Sequence, residues 1–214
     1  VALVVNYWTA WYLLHRAGRV QPGQRLLVHG VSGGVGTALA QLGQLAGLEM
    51  YGTASVHKHE QVRALNVTPI DYRHEDFVSR IAEWTGRRGV DLVIDPIGGS
   101  NWIRSYRALG KGGRLLLTGI QSMADKPNVM LLPSALQMIF FALLPNGKSV
   151  RFVGLIPENL RDKYREDLTQ LVTYLAEGKI SPIISRTFPL SEAGEAHRYL
   201  ENGEATGKVV LTPD

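Results

Sequence analysis

Short apolar runs alternate with stretches of helical spacing along most of the chain. Arg25–His29 is an apolar run that ends at a glycine cluster, and residues 35–46 then carry Val35, Leu39, Leu42 and Ala46 on one helical face. The alternation continues as a strand at 48–53, a helix at 60–65, a short strand at 69–71, a helix at 76–84 and a strong strand at 90–95. A helix at 101–109 and a strand at 114–118 follow. Strands that each feed a helix predict a parallel sheet covered on both faces, because such crossovers share one handedness. The expected fold is α/β, a doubly wound parallel sheet in three α/β/α layers.

Beyond residue 119 the pattern predicts a greasy helix at 134–144, a strand from Val150 to Leu155 and an amphipathic helix at 159–176 closed by Gly178. From Ser181 the order becomes strand 183–188, helix 192–200, strand 208–211. We therefore expect a nucleotide-binding domain over 1–180 and a separate segment over 181–214.

The 214 residues suit one domain with part of a second, and 45% hydrophobic with 20% charged residues excludes disorder and coiled coil. A net charge of +4 without a dense basic stripe argues against a nucleic-acid partner. The absence of cysteine removes disulfides and Cys-ligated zinc from this chain and suits a reducing, cytoplasmic setting. The apolar stretch 129–145 is interrupted and too short to span a bilayer, so no membrane partner is expected. The opening Val1, with no signal-peptide pattern after it, reads as a cut from something longer.

The candidate chemistry begins at Gly30. Gly30-Val31-Ser32-Gly33-Gly34-Val35-Gly36 spaces glycines by three and three, directly between an apolar strand and a helix. Such a turn reverses tightly, lets backbone approach a pyrophosphate and points free N–H groups of a helix start at negative charge; side chains would obstruct all three. The next strand ends in Thr53-Ala54-Ser55-Val56-His57-Lys58-His59, where an acid would select the free ribose of NAD. No acid is there. A small hydroxyl beside an ammonium accepts a 2′-phosphate instead, which points to NADPH through Ser55 and Lys58, with Tyr72 and Arg73 within reach of the same phosphate.

Four rival readings are weaker. Asn146-Gly147-Lys148-Ser149 resembles the end of a phosphate-binding P-loop, yet Ala142 replaces its first glycine. Gly30-Val31-Ser32-Gly33-Gly34 satisfies a nucleophile-elbow pattern, with Asp95 and His197 in the chain order of a hydrolase triad, but that leaves Gly36 and the acid-free basic loop unexplained. His57 and His59 lack a third metal ligand. A methyltransferase shares the fold class but usually carries an acid after the second strand.

The runs Asn6-Tyr7-Trp8-Thr9-Ala10-Trp11, Val20-Gln21-Pro22-Gly23-Gln24, His29 to Gly36, Asp95-Pro96-Ile97-Gly98-Gly99, Gly110-Lys111-Gly112-Gly113-Arg114 and Gly207-Lys208-Val209-Val210-Leu211 together resemble the medium-chain dehydrogenase/reductase superfamily, in its zinc-independent, quinone-oxidoreductase-like branch. The resemblance implies a Rossmann domain binding NADPH, with the pyrophosphate over Ser32, Gly33, Gly34 and Val35 and the adenosine phosphate near Ser55, Lys58 and Tyr72. It further implies a nicotinamide near Thr9, Ile97, Gly98 and Gly119. Thr9 and Asp95 also have plain readings, a hydroxyl bonded to its own helix turn and a strand-end cap. Zinc-dependent relatives carry a Cys ligand where Val5 stands, so no metal is expected.

The resemblance implies hydride transfer to a small-molecule acceptor, a quinone or an α,β-unsaturated carbonyl. It also implies that 181–214 is the remnant of an otherwise missing catalytic domain, that the segment alone is inactive, and that it forms a homodimer through the Val150 to Leu155 edge. No side chain here has a clear claim to protonate the product: His15, His29, His74 and His197 read as surface or helix residues. The competing class is a non-catalytic nucleotide- or RNA-binding module.

Overall fold

A computed structural model describes residues 2–119, 145–153 and 161–214, together with Leu136, Ile139 and Phe141. Six parallel strands form one sheet in the order β3-β2-β1-β4-β5-β6. They are β1 (Arg25–His29), β2 (Glu49–Ala54), β3 (Thr68–Asp71), β4 (Val90–Asp95), β5 (Leu109–Leu117) and β6 (Ser149–Phe152). The sheet starts at β1, winds outward to β3, then returns to lay β4 on the other side of β1. This reversal makes the doubly wound Rossmann fold and opens a crevice at the carboxyl ends of β1 and β4.

Because side chains alternate across a strand, the sheet feeds two cores. Leu26, Val28, Leu92, Ile94 and Leu116 pack beneath α1 (Ala2–Trp11) and α2 (Gly34–Leu45). Leu27, Val93, Leu115 and Leu117 pack beneath α4 (Phe77–Trp84) and α5 (Ser100–Ala108). The short α3 (His59–Ala64) links β2 to β3. Asp76 starts α4 by accepting the Ser79 amide at 3.1 Å, satisfying one of the free donors of a helix start.

The last turns after α1 widen into a π-helical segment, Tyr12–Ala17. That segment and α1 are held against α6 (Arg161–Ala176) by the ion pair of Arg16 with the buried Asp167 at 2.7 Å and by the edge-on packing of Trp8 against Tyr164. A second, two-stranded parallel sheet joins β7 (Ile184–Pro189) to β8 (Lys208–Thr212), with α7 (Ala193–Glu201) between them.

One expectation changes. The strand was expected over 114–118, after the glycine-rich 110–113, but β5 already begins at Leu109. Leu109 pairs with Val90 and Arg114 with Leu92, so the intervening residues bulge out, with Gly112 in the left-handed region. Of the expected elements after 119, residues 134–144 fall mostly outside the described residues, as do 154–155 of the expected edge strand and 159–160 of the amphipathic helix.

Gly36 shows how tightly the first crossover is packed. A Cβ there would stand 2.5 Å from the carbonyl oxygens of both Gly30 and Val31, and backbone cannot swing aside. Gly36→Ala is therefore expected to destabilise the fold by about 1–3 kcal/mol, lowering the midpoint of thermal unfolding by roughly 3–10 °C in scanning calorimetry.

Candidate functional site

Two hollows of about 440 and 650 Å³ meet at the turn after β1, where both are lined by His29, Gly30, Gly33, Gly34 and Gly207. The first extends to Thr9, Pro96 and Thr118; the second to Ser55, Lys58 and Tyr72. Together they form one crevice along the carboxyl ends of the strands, centred on the glycine turn. Gly30 takes a φ of +68°, which sends the chain sharply off β1. Gly33 then enters α2 in extended conformation, with no side chain capping the helix and no acid in its first turn, so the positive end of the helix faces the crevice.

The crevice floor is pinned by a buried chain of hydrogen bonds. His29 and Thr53 are paired in register at the ends of β1 and β2, and Asp95 ends β4 on the other side of β1. Ser105 of α5 donates its only hydroxyl proton to Asp95 at 2.6 Å, so it can only accept from His29 Nε2 at 3.0 Å. His29 is therefore the Nε2–H tautomer. Its Nδ1 accepts from the Thr53 hydroxyl at 3.1 Å, whose oxygen in turn accepts the Gly30 amide at 3.1 Å.

Asp95 also accepts the amides of Ile97 and Gly98 and the side-chain amide of Asn101, at 2.8, 3.3 and 2.9 Å. One continuous chain thus runs from the glycine turn to the turn after β4. Burial pulls His29 well below its ordinary range, to about 4, against the opposing pull of Asp95. The ring is neutral near pH 7, as the hydrogen-bond chain requires.

At the other end of the crevice Ser55, Lys58 and Tyr72 come together. Hydrogen bonds from Arg73 and Ser55 lower the Tyr72 phenol. Lys58, expected to offer its ammonium to a 2′-phosphate, is only 6% exposed and donates to the carbonyl of Ala205, and burial lowers its pKa. An ammonium has three donors, so two remain for the crevice. Arg104 lines the same hollow, paired with Asp76 at 2.8 Å and lying over the Phe77 ring at 4.4 Å.

The segment around Gly207 closes over the glycine turn. The Gly207 amide donates to the Ser32 carbonyl at 2.9 Å, and the Thr206 hydroxyl bonds Gln61 at 2.6 Å. Gly207, at φ +78°, has no room for a side chain, because a Cβ would stand 2.4 Å from the Ile183 carbonyl.

Of the residues expected at the site, Thr9, Ser32, Gly33, Gly34, Val35, Ser55, Lys58, Tyr72 and Ile97 line the crevice. Gly98 and Gly119 line neither hollow. Gly98 donates to Asp95, and Gly119 lies so close to Pro96 that a Cβ would stand 2.8 Å from its carbonyl. Both therefore shape the loops behind the crevice. The Thr9 hydroxyl makes no hydrogen bond to its own helix turn among the described residues. Asp95 is the strand-end cap that its plainer reading anticipated.

His29 is corrected outright: it is 4% exposed and central, where a surface or helix position was expected. Asn101, Arg104, Pro96, Thr118, Ala205 and Lys208 were not anticipated as lining residues. A polar residue closing each of three strands, His29, Thr53 and Asp95, was the signal that could have exposed the hydrogen-bond chain.

The rival sites do not assemble. Asp95 spends its oxygens on Ser105, Asn101 and two amides, so it orients no histidine toward Ser32. His59 is buried against the Ala54 carbonyl while His57 is exposed, and among the described residues no three His, Cys, Asp or Glu side chains are placed to hold a metal.

Residues 67–211 match the family described as zinc-binding dehydrogenase. The chain belongs to that family, within the medium-chain dehydrogenase/reductase superfamily of oxidoreductases. It is 32% identical over 223 residues to the synaptic vesicle membrane protein VAT-1 homolog of Danio rerio, covering all of this chain and 46% of that protein. Among solved structures it is similar to the CurK enoyl reductase, with a TM-score of 0.83 and 28% identity over 100% of this chain and 61% of that one. It is also similar to the Escherichia coli quinone oxidoreductase complexed with NADPH, with a TM-score of 0.82 and 27% identity over 98% of this chain and 63% of that one.

The chain thus spans about half the length of the VAT-1 homologs it matches by sequence. The zinc in the family's name finds no donor set among these described residues, and the position expected for a Cys ligand is the exposed Val5. No helix among the described residues is long and apolar enough to cross a membrane.

Neutral, buried His29 makes stability depend on pH. Between its unfolded value near 6.5 and its folded value of about 4, the unfolded chain binds a proton that the fold refuses, so stability falls as the pH drops through that window. Urea unfolding across pH 4–7 should show up to about 3 kcal/mol of loss attributable to His29. The difference from His29→Gln isolates it: a variant curve parallel to that of the native chain would contradict the assignment.

Proposed function

We propose that this chain is the NADPH-binding part of a zinc-independent, cytoplasmic oxidoreductase that reduces a quinone or an α,β-unsaturated carbonyl compound. The observation that carries the reading is the single crevice with a glycine turn and helix start at its centre, a hydroxyl-ammonium-phenol cluster at one end, and Thr9, Pro96 and Thr118 at the other. A dinucleotide needs those three features in that order. The NADPH in the similar Escherichia coli enzyme supports the same reading.

NADPH, when bound, supplies the hydride. The chain's own part is orientation. The amides of the α2 start hold the diphosphate, Ser55, Lys58 and Tyr72 hold the 2′-phosphate, and the turn at Ile97 and Gly98, fixed by Asp95, sets the wall beside the nicotinamide. Residues 1–180 act as the binding domain in this reading and 181–214 as part of the catalytic one, which leaves the segment alone inactive.

A homodimer through β6 belongs to the same proposal. This strand is the edge of the sheet, and Phe152 on it is 61% exposed. Sedimentation at micromolar concentration should give a dimer, and Val150→Pro, which blocks edge pairing, a monomer.

The cofactor assignment is tested by calorimetric titration with NADPH and NADH. Lys58→Met keeps the packing of the stem and removes the charge. It should weaken NADPH roughly tenfold or more and NADH by less than about threefold, as expected for the loss of a charge-assisted bond. Equal losses for the two cofactors would remove Lys58 from the 2′-phosphate site, and failure of both to bind the native chain would overturn the function.

A further inference from the structure

At the pole opposite the crevice, where β4 and β5 begin, two adjoining hollows of about 490 and 470 Å³ share Arg87 and Leu109. Arg107 lines the first, and Arg88, Lys111 and Lys148 line the second. None of these five cations has an ion-pair partner among the described residues. With Glu83 as the acid that lines the two hollows, their lining carries more positive than negative side chains.

The neighbouring acids are already engaged. Glu83 of α4 pairs with Arg80 at 3.2 Å, and Glu49 of β2, which Arg88 also approaches, is held by Arg25 at 2.9 Å and by Tyr51. Asp91 of β4 accepts the Arg25 amide at 2.8 Å.

The loops that carry the cations are braced. The buried Thr85 hydroxyl donates to the Ile81 carbonyl at 2.6 Å and accepts the Gly89 amide at 2.9 Å, while Arg88 Nε bonds the Thr85 carbonyl. Arg87 is held at φ +62°, a left-handed conformation that residues with a side chain seldom adopt and that fixes where its stem leaves the loop. Across the hollow, Asn146 bonds both the Tyr106 hydroxyl and the Lys148 amide, and Lys148 Nζ donates to the Tyr106 carbonyl at 3.2 Å. Two arginines and two lysines thus line one concavity from three loops, Arg88 and Lys148 each holding one bond to backbone and keeping further donors, an arrangement that suits an anion with several oxygens on adjacent phosphorus atoms.

We propose that this pole is a second binding site, for a compact polyphosphate such as a diphosphate or bisphosphate group, separate from the nucleotide crevice. Amide nuclear magnetic resonance of the chain titrated with inorganic pyrophosphate tests it by location, independently of the cofactor assignment, because crevice amides (Gly33, Gly34) and pole amides (Gly110, Lys111, Gly147, Lys148) report separately. Saturable shifts at the pole amides are expected. They should weaken at least tenfold in the double variant Arg87→Gln with Lys111→Gln, both exposed positions whose exchange leaves the core untouched.

Shifts confined to the crevice amides overturn the proposal. So do pole shifts that persist in the double variant, or that sulfate at equal ionic strength reproduces. Co-sedimentation with phosphatidylcholine vesicles, with and without a phosphorylated inositol lipid, separates the sources. Pyrophosphate binding without vesicle capture assigns a soluble ligand, capture that pyrophosphate reverses assigns a headgroup, and either result upholds the site.

Discussion

The Asp95 carboxyl group lies entirely out of solvent at the end of a central strand, and four hydrogen bonds converge on it. An unsatisfied polar group at such a depth costs several kcal/mol, so every partner of Asp95 is constrained in position. Those partners are the amides of the Ile97–Gly98 turn, Asn101 and Ser105 on α5 and, through Ser105, the ring of His29 and the hydroxyl of Thr53. The floor of the crevice is accordingly a single hydrogen-bonded unit spanning β2, β1 and β4, the three strands around the point where the winding direction reverses. A parallel sheet leaves an opening there whatever its sequence; this network makes the opening rigid.

Rigidity at the floor contrasts with bare backbone above it. Gly30, Gly33, Gly34 and Gly207 line both hollows, with His29 and Leu200 the side chains that reach both. Gly36 serves a different need from its neighbours. It faces the carbonyls of Gly30 and Val31 and lets α2 settle onto β1, so its requirement is packing. Gly34 instead opposes the buried Asn6 side chain of α1, which brings the first helix to the mouth of the crevice beside Thr9. One seven-residue run therefore meets two physical demands, and the third glycine of the spacing belongs to the structural one.

The alternation of strands and helices, the two-sided core and the glycine turn at the centre of the crevice were legible in the sequence, because each rests on local periodicity or on a turn that only glycine permits. Leu26, Val28, Leu92 and Ile94 fall on one face of their strands by alternation alone. What was not legible depends on contacts distant in the chain. Lys58 reads as a solvated basic side chain until Ala205, 147 positions onward, supplies the carbonyl that holds it. His29 reads as one of the surface or helix histidines until Ser105 and Thr53 take its two nitrogens. The glycines of 110–113 read as preceding the strand, because a bulge inside a parallel strand is fixed by the register of its neighbour β4 and has no periodic signature of its own.

The bonds of the 205–207 segment have a consequence for how the crevice is entered. Gly207 and Thr206 bond to Ser32 and Gln61, and Ala205 bonds to Lys58, so this strand of chain touches the turn at the centre and the cluster at one end together. A ligand engaging Lys58 therefore meets an ammonium whose direction is already set by a carbonyl belonging to the segment after α7. Pre-setting a side chain in this way reduces the rotamer freedom lost when the ligand arrives, and for a lysine that loss is among the largest of any residue. The closing segment thus acts on the crevice from outside its floor, orienting one cation where the buried chain from Thr53 to Asp95 orients the turns.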